Sequence, residues 1–96
     1  MIFGLFGKKK EPEEGDRIGH VVHYFPHVKA VVIAVDKGSL AIGDQIRIKG
    51  HTTDFQQKIE SMQIEHEVVE KVSKGQEVAI KVKKKARRTD KVYLVK

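Results

Sequence analysis

At 96 residues, 40% of them hydrophobic and 33% charged, the chain has the size of one small domain, which excludes a two-domain enzyme and a wholly disordered polymer. The net charge is +6 and there is no cysteine, which excludes a disulfide framework, a thiolate nucleophile and a cysteine zinc site. A domain this small without disulfides fits a reducing compartment, so a cytoplasmic location is expected, and no apolar run approaches the ~20 residues that span a bilayer.

Residues 1–17, MIFGLFGKKKEPEEGDR, differ from the rest. Four large apolar residues (Ile2, Phe3, Leu5, Phe6) precede Lys8, Lys9 and Lys10, and an acidic run with Pro12 follows. Glycines at 4 and 7 weaken any helix. The lysines follow the apolar run, the wrong order for a signal peptide. The segment reads as a flexible tail and linker. Its apolar and basic residues could tether the domain to a partner or make weak, reversible contact with an anionic membrane surface.

From Ile18 onward the pattern is β. Ile18 to Tyr24 is rich in β-branched and aromatic residues and is ended by Phe25-Pro26. Val28 to Val35 is an almost continuous apolar run of strand length. Asp36 to Ser39 is a turn, and Gly43 precedes the next strand where a positive φ is expected. Ile46 and Ile48 alternate with Arg47 and Lys49, and Gly50 stops them. Residues 51–57 are polar and read as loop. Ile59, Met62 and Ile64 do not share one parity, which implies a bulge or kink near Ser61. His66 to Ser73 is a short strand or an extended connection. Val78, Ile80 and Val82 form the clearest half-buried strand. Lys84 to Asp90 is a basic loop, and Val92 to Val95 closes the domain. No stretch carries a 3.6-residue apolar period. The expectation is an all-β fold, a small six- or seven-stranded barrel over residues 18–96, with Val31, Ile33, Ile46, Ile48, Met62, Val78, Ile80 and Val82 in its core.

Several of these residues resemble a known pattern. They run Gly19-x-Val-x-x-Tyr24, Val31 to Val35, Ser39-Leu40-Ala-Ile-Gly43-Asp44-x-Ile46-x-Ile48-x-Gly50, Ile59-x-Ser61-Met62-Gln63 and Gly75-x-x-Val78-x-Ile80. The set resembles the second domain of elongation factor Tu-type translational GTPases, especially small stand-alone elongation-factor-like proteins. It also resembles the C-terminal barrel of the collagenase-like peptidase family. The resemblance implies a barrel resembling translation-factor domain 2 that binds RNA, the ribosome or another protein. GTP binding is not expected, because the phosphate-binding loop of those GTPases lies in another domain and Gly4-x-x-Gly7-Lys8-Lys9 is too short to replace it. The catalytic residues of the peptidase family likewise lie in another domain.

Charge is the strongest functional signal. Residues 1–17 cancel and residues 18–80 sum to −1, so the last sixteen residues carry +7. Lys81, Lys83, Lys84, Lys85, Arg87, Arg88 and Lys91 form a basic edge suited to phosphate contacts rather than base reading. Tyr24, Phe25, Phe55 and Tyr93 are too few and too scattered for a base-stacking platform. The five histidines lack metal-site spacing: His20 and His23 would face opposite sides of a strand. His51-Thr52-Thr53-Asp54 holds a base, hydroxyls and a carboxylate, but adjacent residues seldom aim at one point, and turn capping accounts for them. No cofactor, metal or small-molecule substrate is expected. The reading is a non-catalytic, translation-associated RNA- or ribosome-binding module. The rival is a protein-interaction adaptor held to a membrane or partner by residues 1–10.

Overall fold

The computed structural model of the chain describes residues 16–95. Its regular structure there is entirely β: β1 (Asp16–Phe25), β2 (Ala30–Val35), β3 (Ser39–Ala41), β4 (Gln45–Lys49), β5 (Asp54–Lys58), β6 (Met62–Ile64), β7 (Glu67–Val68), β8 (Lys71–Ser73), β9 (Glu77–Lys81) and β10 (Lys91–Val95). Eight strands make one antiparallel sheet in the order β5-β4-β10-β1-β2-β9-β6-β7, and β3 pairs separately with β8.

The sheet curls into a barrel because its edge strand β5 returns to the end of β9. The Gln57 carboxamide of β5 donates to the Lys81 carbonyl at 2.8 Å and accepts from the Lys83 N–H at 2.9 Å. A carboxamide carries the same donor and acceptor pair as a peptide unit, so this side chain takes the place of a missing strand-to-strand ladder. Six strands, β5-β4-β10-β1-β2-β9, thereby form a ring, and β6 and β7 continue beyond it.

Alternation fills the ring. Along β2 and β4 every second residue is buried. All eight expected core residues are at most 5% exposed, and Ile18, Val21, Val35, Leu40, Ile59, Val72 and Val92 join them. The β3–β8 pair brings in Leu40 and Val72 opposite each other. Gly43 connects β3 to β4 with φ 99°, the left-handed conformation that favours glycine. There Asp44 Oδ2 accepts from the Ala41 N–H at 3.0 Å and holds the turn.

The structure departs from expectation at three places. The polar stretch 51–57 contains a strand, β5, whose inward residues are Phe55 and Gln57. An inward glutamine hides the alternation of a strand, which is why the stretch reads as loop. The break near Ser61 is an interruption between β5 and β6, while the register irregularities fall at Val21/His23 and Val92/Tyr93. Finally, β1 starts at Asp16, and Asp16 and Arg17 pair with Leu94 and Tyr93, so pairing begins two residues inside the expected tail.

Two substitutions test this architecture by chemical denaturation. Ile80→Ala empties part of a small core and should cost about 2–4 kcal/mol. Gln57→Leu keeps the bulk but strands the Lys81 carbonyl and the Lys83 N–H, and should cost about 2–4 kcal/mol.

Candidate functional site

The basic segment is a pinned loop. Lys83, Lys84, Lys85, Arg87, Arg88 and Lys91 are all exposed, while the backbone beneath them is tied at several points. Ala86 is buried, the Lys83 N–H is held by Gln57, and the Arg87 N–H donates to Asp90 Oδ2 at 2.8 Å. Val21 and Asp90 exchange a further bond, Val21 N–H to Asp90 O, at 2.8 Å, and the Thr89 N–H donates to the Val21 carbonyl at 2.8 Å. The Asp90 carboxylate is buried and lies over Gly50, where a β-carbon would collide with it. The acid that interrupts the basic run therefore props the loop from beneath. Lys81 stands apart from these cations: its Nζ donates to the Val28 carbonyl at 3.4 Å.

The other candidate side chains are separately engaged. His20 Nδ1 lies 2.8 Å from Asp36 Oδ2, and Arg17 Nη2 lies 3.7 Å from the same oxygen. His23 packs on Phe25 with ring centroids 4.3 Å apart. Asp54, the carboxylate of the 51–54 cluster, is gripped by Arg47 through two bonds of 2.8 Å. That bidentate pairing holds the Asp54 carboxyl below its ordinary range. Among the described residues, no three His, Asp or Glu side chains converge on a possible metal position, and no helix is long and apolar enough to cross a membrane. Ile2, Phe3, Leu5, Phe6, Lys8, Lys9 and Lys10 lie outside the described residues.

A concave site that sequence reasoning missed lies on the outer wall of the barrel. Its floor is built from β2, β9 and β6, where Ala30 pairs with Lys81, Val32 with Ala79, and Ala79 with Gln63. Small side chains at Ala30 and Ala79 leave a groove of about 520 Å³. The end of β1 and the turn after it supply one wall with Phe25, 45% exposed, and Val28, 54% exposed. The opposite wall is the turn after β6, where Glu65 (φ 51°) and His66 (φ 70°) are both left-handed. A second hollow of about 320 Å³ shares Val32, Gln63, Glu65 and Ala79 and extends toward Gln76 and Glu77. One signal in the sequence pointed here. The run from Ala30 to Val35 has no polar residue on either parity, so both faces of the strand are apolar: one feeds the core and the other floors the groove.

Comparison with known proteins favours one half of the resemblance. No protein-family model matches the chain. Over 77 residues, 79% of this chain and 21% of the relative, it is 40% identical to a collagenase of Porphyromonas gingivalis. Over 80 residues it is 40% identical to an uncharacterized protease of Methanocaldococcus jannaschii, covering 82% of this chain and 19% of that one. The chain thus spans about a fifth of the length of these curated relatives. The C-terminal domain of a U32 peptidase from Geobacillus thermoleovorans superposes with a TM-score of 0.77 over 93% of this chain and all of that one, at 21% identity. The selenomethionine form of the same domain gives 0.76 over 81% of this chain and 98% of that one, also at 21% identity. The chain is thus similar, over most of its length, to a minor part of proteins named collagenase and protease, and it shares the fold of a U32 peptidase C-terminal domain.

The translation-factor reading is therefore corrected. The motif around Leu40, Gly43, Asp44, Ile46 and Ile48 encodes a pair, a turn and an alternating strand, which is fold grammar that unrelated activities share. The inference of a translation-associated, RNA- or ribosome-binding module from that motif and the basic edge does not hold against relatives named collagenase and protease. The all-β barrel itself stands.

The Arg47–Asp54 pair gives a pH test. A lowered carboxyl pKa means that the pair stabilises the fold above the ordinary value of 3.8 and that the contribution disappears as pH falls through the lowered folded-state value. Asp54→Asn should lower the melting temperature by about a degree or two at pH 7, as an exposed pair allows. The two proteins should converge at the most acidic pH at which both remain folded, as read by thermal denaturation.

Proposed function

We propose that the chain is a non-catalytic barrel module of the collagenase-like peptidase type, working beside a catalytic peptidase unit rather than cleaving peptide bonds itself. The 40% identity to a collagenase over 77 residues, a fifth of that enzyme, carries the reading. It aligns most of this barrel with a minor part of the enzyme and leaves the greater part of the enzyme outside the alignment.

The chemistry of the barrel agrees with a supporting role. The buried polar residues among the described ones are Thr53, Gln57 and Asp90. Gln57 spends its amide on barrel closure and Asp90 on the basic loop. Asp54, three residues after His51, is committed to Arg47. Each of these three side chains thus has a structural partner within the barrel.

A chimera tests the reading. In the Porphyromonas gingivalis collagenase, the matching 77-residue segment is either deleted or replaced by residues of this chain. The replacement should retain hydrolysis of a collagen-derived peptide, the deletion should lose most of it, and this chain alone should show none. Cleavage by this chain alone would overturn the non-catalytic role. A chimera as inactive as the deletion would overturn the module assignment.

A further inference from the structure

The outer wall of the barrel carries an ordered pattern of side chains that neither the core nor the basic loop uses. Register sets its outward residues in rows across the strands. Phe25, Ala30 and Lys81 share one row. Val32, Ala79 and Gln63 share the next. Ala34 and Glu77 share a third, and Glu65 lies two residues beyond Gln63 at the same end. Along β9 the rows therefore change character, from an ammonium through an apolar floor to carboxylates. The hollows of about 520 Å³ and about 320 Å³ have Val32, Gln63, Glu65 and Ala79 in common. They form one trough that runs from Lys81 to Glu77.

The charges at its two ends are unanswered. Lys81 Nζ lies 3.4 Å from the neutral Val28 carbonyl, a long contact that leaves its other donors open. Among the described residues no carboxylate pairs with Lys81, and no cation pairs with Glu65 or Glu77. The acidic end is also held at a conformational cost. Glu65 and His66 form the two-residue turn between β6 and β7, with φ 51° and 70°, where asparagine and glycine are favoured. Those residues would make the turn with less strain, but neither would place a carboxylate on the rim.

Lys81 and Glu77 are four residues apart on one strand, about 13 Å. An extended peptide rises about 3.4 Å per residue, so about four residues set a free ammonium and a free carboxylate that far apart. The hollows have the size of small-ligand sites, far below the footprint of a folded partner. The side chains of Ser61 and Gln63 line the trough and have no hydrogen-bond partner among the described residues, so they can meet the amide groups of such a peptide.

We propose that this trough binds short apolar peptides of about four residues with free termini, the carboxylate on Lys81 and the ammonium beside Glu65 and Glu77. Peptidases release molecules of this class, yet binding here requires only residues of this barrel, so the proposal does not rest on the module reading.

Titration of the isotope-labelled chain with Ala-Val-Ala-Leu, free at both ends, tests this by NMR. The amide signals of Val32, Gln63 and Ala79 should shift, and those of Ile48 and Lys91, on strands outside the trough, should stay. Amidating the peptide carboxylate should weaken binding about threefold to fivefold, as loss of one exposed ion pair allows, and Lys81→Gln should erase that difference. Acetylating the peptide ammonium should weaken binding likewise, and Glu65→Gln with Glu77→Gln should erase that second difference. The replaced side chains are exposed, and unchanged signals elsewhere report that the variants fold. Equal binding of free and capped peptides, shifts centred on residues 83–91, or no shift up to about 10 mM peptide overturns the proposal. Octanoate binding as tightly as the peptide also overturns it, because the ligand is then an apolar acid with no need of an ammonium.

Discussion

The barrel depends on how its sheet is closed. Six strands must form a ring, yet among the described residues β5 has no strand partner on its outer edge, and an open edge exposes unpaired backbone groups to other chains. Gln57 resolves this with one side chain. Its amide reproduces the donor and acceptor of a peptide unit and bonds to the Lys81 carbonyl and the Lys83 N–H. Because Gln57 is itself buried, its bonds are shielded from competing water, and leaving any of these groups unpaired would carry a desolvation cost. The aliphatic core from Val31 to Val92 can be enclosed only when that seam is shut.

The seam also sets the surfaces. It anchors the start of the basic loop at Lys83, and the Asp90 carboxylate under Gly50 anchors its end. Six cations are therefore displayed on a backbone that the barrel holds still. On the neighbouring wall, β2 places Val31, Ile33 and Val35 inward and leaves Ala30, Val32 and Ala34 outward. Among the described residues, the turns around Phe25 and His66 wall this face without covering it, so a groove remains. The pinned loop and the groove both follow from a small closed ring whose strands are more apolar than one core requires.

Similarity to collagenase-like peptidases and resemblance to translation factors meet on the same barrel because both rest on the same physical pattern. A glycine in the left-handed region, an aspartate capping the turn and two inward isoleucines suffice to build β3, the Gly43 turn and β4. In this barrel these residues hold a turn and fill the core. Activity is carried by residues grafted onto such a frame, and here the alignment over most of the barrel with a fifth of a collagenase discriminates between families that the motif alone joins.

What the amino-acid order determined by itself was the local part of the answer. Period-two alternation at Ile46 and Ile48 and at Val78 and Ile80 specifies which side chains turn inward, because a strand has no other way to arrange them. Glycine at 43 and 75 marks turns because few other residues take a positive φ at low cost. Tertiary structure decided the rest. The segment 54–58 is a strand because Gln57 finds its partners 24 and 26 residues away, a fact that no window of sequence contains. Asp90 is a buried prop rather than a surface acid because Gly50, forty residues earlier, leaves room for it. The groove exists because Phe25 and Glu65 are brought to opposite sides of Val32 and Ala79 by pairing between β2, β9 and β6. Each of these outcomes depends on contacts between residues distant in the chain, and only the closed ring brings those residues together.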